Sequence, residues 1–276
     1  MKPQNLQVRR GLDEGPLLEF LARQLNVSRK KAKSLLDQRA VKVNGRPVWM
    51  ARHTLKANDK VAIRATASAT DLGKKAILWE DENLLAVNKP AGLLSIGSHS
   101  LETLLRTLTR TPSVEAVHRL DRDTTGVILF ARNRQAKEAM VRLFRQKAVS
   151  KLYHALVRGR LAKDATSIRQ AIQGQSALTR LTVLDTTRFA THVRLLLATG
   201  RTHQARKHLA FIRHPVLGDT LYGGSCMVDE LGISVARQML HAHRVVFEHP
   251  LTGERIQVEA PLPDDFRGCM RELRLK

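Results

Sequence analysis

Nine residues, His118-Arg119-Leu120-Asp121-Arg122-Asp123-Thr124-Thr125-Gly126, run without a break into five apolar ones, Val127-Ile128-Leu129-Phe130-Ala131. The apolar run reads as a buried strand, so the charged and hydroxyl groups before it crowd a turn at the strand's mouth. A side chain in such a turn is held by a rigid scaffold yet reachable from solvent. The bland reading is a solvated loop. The chemical reading puts a reactive carboxylate here, with Asp121 and Asp123 as rivals.

The rest of the chain predicts the scaffold for that turn. Ile77-Leu78-Trp79 and Leu84-Leu85-Ala86-Val87-Asn88 read as two short strands around Glu80-Asp81-Glu82-Asn83, and Lys89-Pro90-Ala91-Gly92 follows as a sharp turn. Asn133 caps a helix with Ala136, Met140, Leu143 and Phe144 inward. Lys151 to Gly159 is apolar on both faces and hence a central strand, with Tyr153 on the same side as Ala155 and Val157. One tyrosine in a strand is by default a core residue with a satisfied hydroxyl.

Val193 to Leu197 form a further buried strand, which ends at Thr199-Gly200-Arg201-Thr202-His203-Gln204-Ala205-Arg206-Lys207-His208-Leu209. Thr202 reads as the cap of a helix with Ala205, Leu209 and Ile212 inside. His203 and His208 point about 140° apart on helical geometry, which is poor for chelation. The two cysteines, Cys226 and Cys269, form no CxxC and lack histidines at ligand spacing, so free thiols and no metal site are expected.

Charge narrows the class of partner. The chain carries 47 Lys and Arg against 25 Asp and Glu, a formal net charge of +22 over 276 residues. Such a balance argues for a polyanion, since cations that neutralise phosphates release counterions. No stretch approaches the roughly 18 apolar residues of a spanning helix. The N-terminus lacks the apolar core of a signal peptide, and a cytoplasmic protein is the expectation.

The first quarter of the chain is denser in charge still, with 15 Lys and Arg against 5 Asp and Glu in residues 1–70. Residues 1–14 read as a loose basic arm. Pro16 opens a helix with Leu17, Leu18, Leu21 and Leu25 on one face, and Ser28 caps a second with Ala32, Leu35 and Leu36 inward. Arg29, Lys30, Lys31 and Lys33 crowd the start of that second helix, where cations oppose the macrodipole, so their placement suggests phosphate contact. Val41-Lys42-Val43, the hairpin signal Asn44-Gly45, Arg46-Pro47-Val48 and a last strand at Val61-Ala62-Ile63 complete a small unit. Residues 15–64 resemble the S4 RNA-binding domain, with Arg39 standing where that domain usually has glycine. The resemblance implies RNA contact by Arg29, Lys30, Lys31, Lys33 and Lys42. Residues 65–74, small and polar, read as a linker.

His-Arg-Leu-Asp with Asp-Thr-Thr-Gly is similar to the active-site motif of the RluA-type pseudouridine synthases. Asn88-Lys-Pro-Ala-Gly92, Lys151-x-Tyr-x-Ala-x-Val-x-Gly159, Thr199-Gly-Arg-Thr-His-Gln-x-Arg-x-His-Leu209 and Leu217-Gly-Asp-Thr-Leu-Tyr-Gly223 resemble the family's further motifs, so the likeness runs from about residue 16 to 266. It implies an α+β chain, a small α/β S4 module followed over residues 75–276 by a catalytic domain on a central mixed, mostly antiparallel sheet. It also implies Asp121 as catalytic carboxylate, Arg206 as its basic partner, Tyr153 stacked on the target base and Arg119 as the wedge that fills the gap a flipped uridine leaves. His118, Thr125, Arg201, His203 and Gln204, within the same motifs, are expected to bind substrate.

Pseudouridine formation breaks the bond from uracil N1 to ribose C1′ and remakes it at C5. Glycoside hydrolysis normally uses two carboxylates, but here uracil leaves as a delocalised anion and no water enters, so one suffices. Asp121 would attack C1′ or take a proton from C2′; in either role it must be ionised although buried, which a bidentate pair with Arg206 favours. Tyr153 is also placed to take the C5 proton. No cofactor or protein partner is called for. Competing readings are a non-catalytic S4-type RNA-binding or ribosome-assembly protein, a synthase directed to tRNA rather than large-subunit ribosomal RNA, and a methyltransferase, which the lack of a Gly-rich cofactor loop disfavours.

Overall fold

The computed structural model describes residues 4–37, 40–48, 50–63, 73–162, 166–223, 227–228, 233–235 and 237–276. Arg39, Cys226 and most of the expected linker lie outside them. The chain divides into two compact units, residues 1–72 and 73–276.

The first unit runs β1 (Gln4–Gln7), β2 (Gly15–Pro16), α1 (Leu17–Gln24), α2 (Arg29–Asp37), β3 (Val41–Val43), β4 (Arg46–Pro47), β5 (Thr54–Leu55) and β6 (Lys60–Ile63). Its four-stranded sheet has the order β1-β6-β3-β4, and Asn44 and Gly45, both at positive φ, make the β3–β4 turn as the sequence predicts. Ser28 caps α2 by accepting from the Lys31 N–H at 3.2 Å. Leu17, Phe20, Leu21, Ala32, Leu35 and Leu36 close over Val41, Val43, Val61 and Ile63 to form the core.

Two details differ from expectation. Pro16 is the residue before α1 rather than its first, with Phe20 buried and Leu18 and Leu25 only partly so. Residues 4–7, expected in a loose arm, pair antiparallel with β6 from Gln4↔Ile63 to Gln7↔Lys60. Burial of Val8 and the ion pairs of Asp13 with Arg9 and Arg23 tie the segment down, a tertiary gain that polar composition conceals.

The second unit runs β7 (Ile77–Glu80), β8 (Leu84–Lys89), α3 (Leu101–Thr109), β9 (Glu115–Ala116), β10 (Thr125–Ala131), α4 (Arg134–Arg145), β11 (Ser150–Arg158), β12 (Thr166–Ile168), β13 (Thr179–Thr186), β14 (Ala190–Leu197), α5 (Gln204–Phe211), β15 (Met227–Val228), β16 (Ile233–Ser234), β17 (Leu240–Glu248), β18 (Arg255–Glu259) and α6 (Asp264–Glu272). A ten-stranded sheet follows the path β12-β13-β14-β11-β17-β10-β8-β7, with β18 on β17 and β9 on β10. Among its described pairings, β10 with β17 is parallel and the others are antiparallel, so the sheet is mixed and mostly antiparallel within an α+β unit.

All seven residues of β10 are buried, which a strand flanked by β8 and β17 requires. β11 is central too, between β14 and β17. Asn133 caps α4 by accepting from the Ala136 N–H at 2.9 Å, and α4 lays Ala136 and Met140 on Val127, Leu129 and Ala131.

Candidate active site

The turn that leads into β10 is braced on both sides of Asp121. Leu120 donates its N–H to the Ser95 hydroxyl at 3.0 Å, and that hydroxyl donates back to the Leu120 carbonyl at 2.9 Å. The Arg122 carbonyl accepts from the Gly92 N–H at 3.1 Å and from the Lys89 ammonium at 2.6 Å. Lys89 also donates to the Pro90 and Leu93 carbonyls, and burial lowers its pKa to about 7. With both neighbouring peptides fixed, the Asp121 side chain is directed into a cavity of about 460 Å³.

Gly126 sets the turn against its neighbour. Its φ is +110°, and a Cβ there would lie 2.1 Å from the Ala242 carbonyl oxygen, where β10 and β17 run parallel. Only glycine fits such an approach.

Arg206 reaches Asp121 from α5, its Nη1 donating to Oδ2 at 3.0 Å. The expected bidentate pair between these two is not what forms. The bidentate partner is Asp219, whose oxygens accept from Nε and Nη2 at 2.7 Å each. Asp219 has no exposed side-chain surface and also accepts from the Leu221 and Tyr222 N–H groups. Burial alone would lower the guanidinium's pKa, but its hydrogen bonds to Asp219 and Asp121 hold it above the ordinary value. Arg206 is thus a fixed cation shared by two carboxylates. Asp219 was visible in Leu217-Gly-Asp-Thr-Leu-Tyr-Gly223 without a role; the signal was an acidic residue beside a glycine in a motif otherwise small and apolar.

The Asp121 carboxylate is 19% exposed, and the His203 Nε2 stands 3.5 Å from its Oδ1. Burial lowers the His203 pKa, against the raising effect of Asp121, so the imidazole is neutral near pH 7. Its Nδ1 is 2.9 Å from the Tyr222 hydroxyl, and the Tyr222 ring lies 5.0 Å from the Arg206 guanidinium carbon. His203 takes a left-handed conformation, φ 55°, and itself precedes the first turn of α5, so Thr202 is not the cap. Ring contacts of His203 with Tyr222 hold that conformation, which local propensity does not favour.

Tyr153 projects from β11 into the same cavity. Burial, and then the charge of Asp121, push its phenol well above the ordinary value. The hydroxyl is therefore protonated at rest, and as an acceptor for the C5 proton it would first have to lose its own. Arg119 is exposed at the cavity, and Arg201 is exposed with its Nε on the Ser176 carbonyl at 3.3 Å.

Three expected substrate ligands are engaged elsewhere. Thr125 does not line the cavity; it is buried, with its hydroxyl 2.8 Å from the His241 Nδ1. Gln204 spends its amide N–H groups on the Leu178 carbonyl and the Thr179 hydroxyl, and its oxygen on Thr199 and the Arg201 N–H, so it pins the start of α5. His118 accepts the Leu129 N–H at Nε2 and packs on Phe144, with its pKa lowered to about 3 by burial and then by Lys151. The rival carboxylate Asp123 is buried outside the cavity.

In the first unit, Lys30, Lys31 and Lys33 are exposed, whereas Arg29 pairs with Glu19 and Lys42 is partly buried. His208 turns its Nε2 to the Gln170 carbonyl, and Cys269 is a buried free thiol. Among the described residues, no helix is long and apolar enough to cross a membrane.

Known proteins are similar to this chain. The family model of RNA pseudouridylate synthases matches residues 83–211, and that of the S4 domain matches residues 15–61. Ribosomal large subunit pseudouridine synthase C of Escherichia coli (strain K12) is 33% identical over 92% of this chain and 92% of its own. Ribosomal large subunit pseudouridine synthase D of Vibrio parahaemolyticus is 31% identical over 90% of this chain and 87% of its own. The solved structure of human RNA pseudouridylate synthase domain containing 4 superposes with a TM-score of 0.64 at 27% identity, over 75% of this chain and 96% of that chain.

Proposed function

The chain belongs to the RNA pseudouridylate synthase family, with an S4 domain at its N-terminus, and from that premise we propose that its substrate is large-subunit ribosomal RNA and that Asp121 is the catalytic carboxylate. The observation that carries the site assignment is the shared Arg206, which joins Asp121, on the cavity that Tyr153 also lines, to a second, fully buried carboxylate, Asp219.

A uridine in folded RNA is extruded at a cost of a few kcal/mol, offset when a side chain fills its place in the stack. Arg119, exposed at the cavity mouth, is that side chain, and Tyr153 receives the flipped base on its ring. Asp121 acts at the ribose, either bonding to C1′ as N1 departs or removing the C2′ proton. Both routes need an ionised carboxylate held still, and the single N–H of Arg206 supplies charge and direction together. After the base turns, C5 bonds to C1′ as the Asp121–C1′ bond breaks, or as Asp121 returns the proton to C2′; the C5 proton leaves and N1 takes up a proton, so the product is an isomer of the substrate.

Lys30, Lys31 and Lys33 bind RNA phosphates in the S4 unit. Two relatives named for the large ribosomal subunit, each spanning most of this chain, support a ribosomal substrate, met in the cytoplasm. Carbodiimide-stop sequencing in a strain lacking the protein tests the target. Loss of a stop in large-subunit ribosomal RNA, restored by the gene, is expected; a stop lost only from tRNA would overturn the ribosomal assignment.

A further inference from the structure

The departing uracil carries the electron pair of the C1′–N1 bond, with its charge spread over N1, O2 and O4. Asp121 is an anion, Arg206 is committed to two carboxylates, and Tyr153 offers a neutral phenol, so none of these three answers that charge. Lys151 is placed to do so. It stands two residues before Tyr153 on β11; alternate residues of a strand share a face at a spacing of roughly 7 Å. Both side chains line the cavity.

The details separate Lys151 from an ordinary surface lysine. It is only 9% exposed, and its hydrogen bond is a 3.5 Å reach to the Thr199 carbonyl. Its ammonium lies 5.8 Å from the Phe144 ring centroid and against Gly200, where a Cβ would be 3.8 Å away. Burial lowers its pKa, and among the described residues no carboxylate pairs with it. A buried cation without a counter-ion is costly and is matched when an anion forms beside it.

On the pseudouridine synthase reading, we infer that Lys151 is a further catalytic residue, donating a hydrogen bond to the uracil anion from its separation at C1′ until C5 bonds there. Lys151 keeps its proton throughout. The C1′–N1 bond breaks with its electron pair on uracil, the C1′–C5 bond forms from the ring, and the C5 proton is lost as N1 gains one.

The test compares single-turnover rates of the full chain and Lys151→Met on two RNAs that differ only in uridine or 5-fluorouridine at the target, scoring the rearranged nucleoside after digestion. Fluorine withdraws charge, so its base needs less help to leave. Lys151→Met keeps an apolar stem of similar length without the charge, and the ratio of rates on two substrates is independent of the folded fraction. The variant is expected to lose about 100-fold on uridine and under about 10-fold on 5-fluorouridine, with Lys151→Arg recovering most of the loss. Equal losses on both RNAs, or no loss on uridine, would overturn the role of Lys151. A wild-type protein that converts neither RNA would instead remove the synthase reading beneath it.

Discussion

At the scale of single residues the site turns on how Arg206 divides its donors. Two go to Asp219 and one to Asp121, so the guanidinium is aimed at Asp121 by a fully buried carboxylate. Asp219→Ala removes the bidentate partner of a buried cation and leaves it only the single hydrogen bond to Asp121, and is expected to cost about 3 kcal/mol in denaturant unfolding. Asp219→Asn keeps the volume and is expected to lower kcat by about 10- to 100-fold with KM unchanged, since Arg206 then loses its fixed direction. A change in KM with constant kcat would place Asp219 in RNA binding instead. The pairing of Arg206 with the motif aspartate was legible through the family resemblance of the two motifs that carry them. Its bidentate pair was not, because residues 85 and 13 apart in the chain compete for one guanidinium, and only geometry decides between them.

At the scale of elements, strands and capped helices were legible wherever a local rule and the tertiary packing agree: the Asn44-Gly45 hairpin, the Ser28 and Asn133 caps, and the apolar run Val127–Ala131 of β10. Sequence reasoning failed where packing overrides the local rule, as at β1, whose partner lies more than 50 residues away, and at the left-handed His203. Gly126→Ala drives a Cβ into the Ala242 carbonyl and is expected to cost about 3 kcal/mol or more, or to abolish soluble expression. On the sheet face away from Tyr153, His154 of β11 meets His192 of β14 at 2.8 Å and packs on His243 of β17. Burial lowers the pKa of His154 to about 3 and that of neighbouring His241 to about 4, and lowers that of His192 as well. The unfolded chain therefore binds protons first as pH falls below the ordinary histidine value of about 6.5, and folding free energy is lost from there toward pH 4. Urea unfolding between pH 8 and 4 checks this; His154→Gln is expected to flatten the slope.

At the scale of the whole molecule, a charge of +22 and two units in one chain read as a basic RNA-binding module and a catalytic body. Replacing Lys30, Lys31 and Lys33 by Gln is expected to raise KM for structured RNA and to reduce the salt dependence of binding by about 2–3 in log–log slope, at constant single-turnover rate. The central claim, that this chain isomerises uridine by means of Asp121, is tested most directly by tritium release from RNA labelled at uridine C5. Wild type is expected to release tritium in step with pseudouridine formation, while Asp121→Asn binds the same RNA and releases none above background. Equal release by the two proteins would contradict the account.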